Sequence, residues 1–284
     1  VTRLRWGERT YLMGIVNVTP DSFSGDGIAP EGSSTAQVVA AALVQARGFV
    51  EAGADILDVG AESSRPASVY GEHPSLSPEA EAALAVPVVA ALAQAFAGRA
   101  LVSIDTSKGT VAREALAAGA SMVNDVWAAR RDPGTAEAAA AAGAYLVLMH
   151  NRDEAAYPGG VVAEVIAWLH EAVDAALARG VTREQLLVDP GIGFGKRPEH
   201  SIEVLHHLAE IKAGLGGLPL LIGTSRKRFI GELLGGLPPS ERVEGTAATV
   251  ALAIAAGADV VRVHDVAHLA RTVRVSDAIV RLGS

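Results

Sequence analysis

The feature that most constrains this chain is a joint that recurs along it, in which an alanine-rich stretch ends in Gly-Ala and an apolar run follows at once. It occurs as Glu51-Ala-Gly-Ala-Asp55, Ala117-Ala-Gly-Ala-Ser121, Ala141-Ala-Gly-Ala-Tyr145 and Ala255-Ala-Gly-Ala-Asp259. A glycine just past a helix adopts the left-handed conformation that ends it, and the short connection then feeds a buried parallel strand. Repeated four times, the joint imposes a helix-then-strand rhythm. Continuing that rhythm predicts strands over 11–17, 55–60, 100–106, 121–126, 145–150, 186–190, 219–224 and 259–264. Helices are predicted over 35–52, 78–96, 161–179, 199–213 and 241–256. Ser34 with Gln37, and Ser77 before Pro78, read as helix starts.

Eight strands alternating with helices point to an α/β fold closed as a (β/α)8 TIM barrel, one domain spanning 1–284, although an open doubly wound sheet shares the local pattern. A length of 284 residues suits one barrel. Half of the residues are hydrophobic and 4% aromatic, so the core must be built from Ala, Val, Leu and Ile. The connections also differ in kind. Those that lead into strands are short, whereas the first and second βα-loops, 18–34 and 61–77, are long and crowded with Gly, Pro, Ser and charge. In a barrel such loops stand at the C-terminal mouth, where active sites form.

A formal charge of −8 disfavours nucleic acid and anionic membrane as partners, so an anionic ligand must be met by local charge. The absence of cysteine removes disulfides, thiolate metal sites and thiol nucleophiles, and suits a cytoplasmic protein. Val1 to Trp6 carries Arg3 and Arg5 without the apolar core of a secretory signal, and no stretch approaches membrane-spanning length.

Polar residues fall at the predicted strand ends: Asn17, Glu62, Asp105, Asn124 with Asp125, His150, Asp189, Lys227 just past the seventh strand, and Arg262 with His264. Any one of them alone reads as a helix cap. Together they describe a mouth suited to a flat, nitrogen-rich heterocycle with an anionic tail. Asp105, Asn124 and Asp189 offer partners to ring N–H and amino groups, and Lys227 a donor to a ring carbonyl or nitrogen. Arg65, Arg262 and His264 supply charge for a pyrophosphate, and Asn17 an uncharged oxygen for Mg2+ carried on water and phosphate. Buried carboxylates in such a pocket are expected to be strained or protonated when no donor meets them. Gly191-Ile-Gly-Phe-Gly-Lys-Arg197 fails as a nucleotide loop: Pro190 and Arg197 break the Walker pattern and Lys196 breaks the dinucleotide one. Its glycines read instead as a tight turn beside a ligand above Asp189, with Phe194 covering a flat ring. No nucleophile elbow or zinc-protease motif is present, and His206-His207 reads as a solvated pair. Such a site suits displacement of a good leaving group by an unprotonated amine.

Eight motifs, in order and spacing, resemble the dihydropteroate synthases: 13–26 (MGIVNVTPDSFSGD), 58–66 (DVGAESSRP), 103–106 (SIDT), 123–125 (VND), 148–150 (LMH), 189–196 (DPGIGFGK), 223–229 (GTSRKRF) and 262–265 (RVHD). The resemblance covers nearly the whole chain. It implies a barrel enzyme that condenses 6-hydroxymethyl-7,8-dihydropterin pyrophosphate with p-aminobenzoate, releasing pyrophosphate. It further implies that Asp105, Asn124, Asp189 and Lys227 bind the pterin, with Met149, Phe194 and Gly223 lining its pocket. Asn17, Arg262 and His264 are implied to take pyrophosphate and Mg2+. Phe23, Ser64, Arg65 and Pro66 are implied to order the p-aminobenzoate site, which sulfonamides occupy as mimics. The family is usually homodimeric.

The chain departs from the family pattern at Ala61, Ser64 and Ala67, where Gly, Thr and Gly are usual, and Ser64 keeps the hydroxyl. Asn151-Arg152-Asp153 replaces Met-x-Gly, and Trp127-Ala-Ala129 replaces a smaller glycine-containing loop. Two other readings share the barrel: a pterin-binding methyltransferase acting on methyltetrahydrofolate, and a catalytically silent pterin-binding protein. The methyltransferase has no use for a pyrophosphate site, so Arg65, Arg262, His264 and the first loop favour the synthase over it.

Overall fold

The computed structural model describes residues 4–18, 32–62 and 76–282. Phe23, Ser64, Arg65 and Pro66 lie outside these residues. The strands are β1 (Tyr11–Asn17), β2 (Ile56–Gly60), β3 (Leu101–Asp105), β4 (Met122–Asp125), β5 (Tyr145–Met149), β6 (Leu186–Asp189), β7 (Leu221–Ile222) and β8 (Val260–Val263). The helices that alternate with them are α1 (Thr35–Ala52), α2 (Pro78–Ala95), α3 (Gly109–Ala117), α4 (Gly134–Ala142), α5 (Val161–Ala178), α6 (Pro198–His206), α7 (Leu208–Gly214), α8 (Arg228–Leu233), α9 (Val243–Ala255) and α10 (Val266–Val280). All strand pairs are parallel, in the order β6-β5-β4-β3-β2-β1-β8-β7. A parallel bridge between Val188 and Leu220 joins the two ends of that order and closes the barrel.

The four Gly-Ala joints end helices as their sequence implies, with Gly53, Gly119, Gly143 and Gly257 all at positive φ. At the other end, Ser34 and Gln37 form a reciprocal capping box on α1. Ser77 Oγ accepts from Ala80 N at 3.2 Å to start α2. The helix expected over 199–213 is interrupted at His207, whose backbone (φ −105°, ψ 21°) leaves the helical basin and divides it into α6 and α7. His206 is exposed and His207 is paired with Glu210 at 2.9 Å, so the two histidines lie outside the barrel mouth.

Side chains alternate across a strand, and this alternation stacks the barrel interior in layers. The lower layer is apolar: Tyr11, Met13, Ile56, Leu101, Met122, Tyr145, Leu187, Leu221 and Val260 pack together. Leu4 and Trp6 plug it from below, with Trp6 edge-on to Tyr11 and Tyr145 and Leu4 N donating to the Tyr145 hydroxyl at 3.1 Å. Two residues further along the strands the interior turns polar, at Asp58, Ser103, Asn124, Asp189 and Arg262. The outward faces meet alanines such as Ala42, Ala46, Ala112, Ala115, Ala172 and Ala253, which let helices approach the barrel closely and account for a core with few aromatics. No helix among the described residues is long and apolar enough to cross a membrane.

Candidate active site at the C-terminal mouth

Register places the upper polar row. Asn17 pairs with Gly60, Gly60 with Asp105 and Asp105 with Asn124, so four adjacent strands end at one level. Gly60 matters here because a Cβ at that position would stand 3.5 Å from the Asp105 Cβ, and its absence opens room above β2. Met149 and Asp189 are register partners on β5 and β6.

Arg262 unites this row. Its Nε donates to Asp58 Oδ2 at 2.6 Å and its Nη2 donates to Asp105 Oδ2 at 2.7 Å, while Asn124 Nδ2 donates to the same Asp58 oxygen at 3.0 Å. Asp58, Asp105 and Asn124 are buried. Burial pushes the Asp105 carboxyl above the ordinary carboxylate range; the Arg262 guanidinium opposes the shift and neighbouring Asp58 adds to it. Asp189 follows the same logic. Burial raises it to about 6 despite a hydrogen bond from Gly191 N at 2.7 Å and the attraction of Lys227, Lys196 and Arg262. Buried carboxylates with raised pKa at one mouth are suited to a ligand that brings hydrogen-bond donors to them.

Lys227 reaches this pocket from the turn after β7, its Nζ 4.0 Å from the centroid of the Phe194 ring. Gly193 (φ +77°) makes the crossing feasible, since a Cβ there would stand 3.1 Å from Lys227 Cδ. Gly191 serves backbone packing instead: a Cβ would come within 1.9 Å of the His150 carbonyl oxygen. The glycine loop therefore combines the expected turn above Asp189 with a backbone seam against the end of β5. Gly223 faces Arg262 across β7 and β8, and His264 is half-buried, its ring Nδ1 2.9 Å from Ser225 Oγ.

Other strand-end groups are committed elsewhere. Asp125 accepts from Trp127 N, Ala129 N and Thr135 Oγ1 at 2.8, 2.9 and 2.7 Å, which makes it the staple of the turn after β4. Glu62 and the buried Glu81 both pair with Lys108. His150 is fully buried against Trp168 and receives Lys196 Nζ on Nδ1 at 2.7 Å. Burial, reinforced by Lys196, lowers the His150 pKa to about 2, and burial also holds the Lys196 ammonium well below its usual range. Sequence reasoning passed over Asp58, Lys196, Ser225 and Asp265. The signal for Asp58 was a lone acid in the middle of an otherwise apolar strand.

Asn17 is half-buried at the end of β1, and no group of three or more His, Cys, Asp or Glu that could hold a metal occurs among the described residues. A single neutral oxygen at the mouth fits a Mg2+ that takes its remaining ligands from water and phosphate.

Residues 13–264 match the model of a family described as pterin binding enzyme. This chain belongs to that family. The dihydropteroate synthase of Bacillus subtilis (strain 168) is 42% identical over 280 residues, covering 99% of this chain and 92% of the relative. A crystal structure of dihydropteroate synthase from Clostridium difficile in the presence of pteroic acid superposes with a TM-score of 0.88 at 41% identity, over 98% of this chain and 99% of that one. The Xanthomonas albilineans dihydropteroate synthase in complex with 7,8-dihydropteroate gives 0.80 at 38% identity, over 96% and 93%. The family's matched stretch begins on β1 and ends at His264, so it encloses every strand that contributes to the mouth.

Proposed function

We infer that this protein is a dihydropteroate synthase, a transferase that joins 6-hydroxymethyl-7,8-dihydropterin pyrophosphate to p-aminobenzoate in folate biosynthesis. The observation that carries the inference is the gathering of three pocket acceptors, Asp105, Asn124 and Asp189, with the cations Lys227 and Arg262 at one mouth. In this reading the acceptors take the donors of the pterin ring and Lys227 gives its proton edge to a ring carbonyl or nitrogen. Met149, Phe194 and Gly223 form the walls. Arg262 on β8 and His264 just past its end hold the diphosphate beside the ring.

The bond between the hydroxymethyl carbon and its oxygen breaks, pyrophosphate leaves with the electron pair, and the arylamine nitrogen forms the new C–N bond and loses one proton. The amine is unprotonated at neutral pH, so the site needs no strong base, and its main task is to hold the departing charge. Mg2+, when bound with the diphosphate, neutralises part of that charge, and Asn17 is the residue that would hold it. Ser64 and Arg65 complete the catalytic set, and with Phe23 and Pro66 they order the p-aminobenzoate site. These four assignments rest on the family resemblance.

The test is turnover with both substrates and Mg2+. Dihydropteroate and pyrophosphate are expected to appear in equal amounts, and the appearance of neither overturns the reading. Release of neither product together with methyl transfer from methyltetrahydrofolate assigns the barrel to the methyltransferase branch. We also propose a cytoplasmic homodimer, on the strength of the resemblance. Light scattering is expected to give about twice the chain mass of 29.1 kDa.

A further inference from the structure

Asp58 has no part in the roles assigned so far, yet it sits at the centre of the pocket floor. It is wholly buried on β2, and its Oδ2 accepts from both Arg262 Nε at 2.6 Å and Asn124 Nδ2 at 3.0 Å. Among the described residues its Oδ1 has no hydrogen-bond partner, nor does the buried hydroxyl of Ser103, its register neighbour on β3. An oxygen already taking an Arg262 N–H is acting as an acceptor, so the Asn124 group that faces it must be the NH2. The planar amide then has one orientation. Its carbonyl oxygen, the opposite arm, is left as an acceptor for whatever else the pocket holds.

We propose that Asp58 is a positioning residue that determines specificity: by accepting the Asn124 amide it fixes the Asn124 carbonyl as an acceptor toward a ring N–H of the bound heterocycle. The inference rests on the pterin reading above and deepens it. Without Asp58, Asn124 can present either donors or an acceptor, and part of its discrimination between ring N–H and ring N is lost. Asp58 also holds one edge of Arg262, while Asp105 holds the other, so the guanidinium keeps its place between ring and diphosphate.

The experiment is a cycle of four proteins, the wild type, Asp58→Asn, Asn124→Asp and the exchange Asp58→Asn/Asn124→Asp. Binding of 6-hydroxymethylpterin is read by calorimetry, KM for each substrate by kinetics, and folding by circular dichroism and thermal melts. Asp58→Asn is expected to weaken pterin binding about 10- to 100-fold, with the p-aminobenzoate KM within about twofold of wild type. Asn124→Asp sets two carboxylates against each other and weakens binding as well. The exchange restores one donor and one acceptor in reversed places, leaving a carboxylate oxygen toward the ring. It is expected to bind the pterin at least about fivefold better than Asn124→Asp, a rescue that a merely structural Asp58 would not give.

Wild-type affinity in Asp58→Asn overturns the proposal, as does an exchange variant no better than Asn124→Asp. If Asp58→Asn does not fold, the comparison of the exchange with Asn124→Asp decides alone. A wild-type protein that binds no pterin overturns the functional reading and this proposal with it, whereas pterin binding that is indifferent to the exchange overturns the role of Asp58 only.

Discussion

Asp189 is asked to be buried and to bind. Its carboxyl is raised to about 6 by burial, so in the unliganded protein it takes up a proton as the pH falls through that value. A ligand that donates to the carboxylate binds the ionised form and must expel the proton below it. Pterin affinity is therefore expected to be flat well above pH 7 and to fall toward about tenfold per unit as pH drops to 5, with the raised Asp105 acting in the same direction. Calorimetric titrations with 6-hydroxymethylpterin from pH 5 to 8 measure this, and an affinity that rises on acidification contradicts it. Asp189→Asn is expected to cost on the order of 2–4 kcal/mol of pterin binding and to flatten the profile, since the charged acceptor is replaced by an amide. The presence of these acids at strand ends was legible in the sequence. That Asp58 and Asp105 share Arg262 was not, because the guanidinium's partners lie on strands far apart in the chain.

Between strands, the turns decide which polar groups face the mouth, and their commitments are long-range or conformational. After β4, Ala128 and Ala129 both adopt positive φ, at 52° and 57°, in the segment where the resemblance marks a glycine-containing loop as usual. Asp125 pins this turn with its carboxylate and is thereby withdrawn from the site. A left-handed alanine costs about 1–2 kcal/mol and the added chain freedom of glycine about 0.4–1 kcal/mol, so Ala129→Gly is expected to stabilise the fold by about 0.5–1 kcal/mol. A melting temperature raised by about 1–4 °C would register it, and a lower one would show that other contacts hold the turn.

At the ends of β7 and β8, Arg226 (φ 58°) reaches Asp265 through Nε at 3.0 Å and Nη2 at 2.7 Å. This bidentate pair fixes the turn that aims Lys227. Asp265→Ala is expected to weaken pterin binding about tenfold in the wild-type background and to have little further effect once Lys227→Ala is present. Additive losses would show that the clamp does not act through Lys227. The helices and strands themselves were readable because caps, Gly-Ala ends and apolar runs are local signals. Glu62, Asp125 and His150 looked like site residues because only the folded chain reveals Lys108, Thr135 and Lys196 as their partners.

The barrel as a whole is unevenly closed. β1 and β2 are joined along five register pairs, from Met13↔Ile56 to Asn17↔Gly60, whereas β6 meets the β7 edge through the Val188–Leu220 bridge and the bond from Val188 N to Pro219 O at 2.9 Å. Repetition of one helix-strand unit made the barrel legible in the sequence, but nothing in that repeat marks which pair of neighbours is joined least. The proposed pterin site straddles this seam, with Asp189 at the end of β6 and Lys227 just past β7. Few shared hydrogen bonds make the seam the place where the closed sheet opens at lowest cost, and a ligand bound to both sides must be released before it can open. In hydrogen exchange, the amides of 186–189 and 220–223 are expected to lose protection before those of β1 and β2 in the free protein. Saturating pterin is then expected to slow the seam amides more than any other strand pair. Uniform slowing around the barrel would mean that the ligand stabilises the fold globally and does not bridge its weakest join.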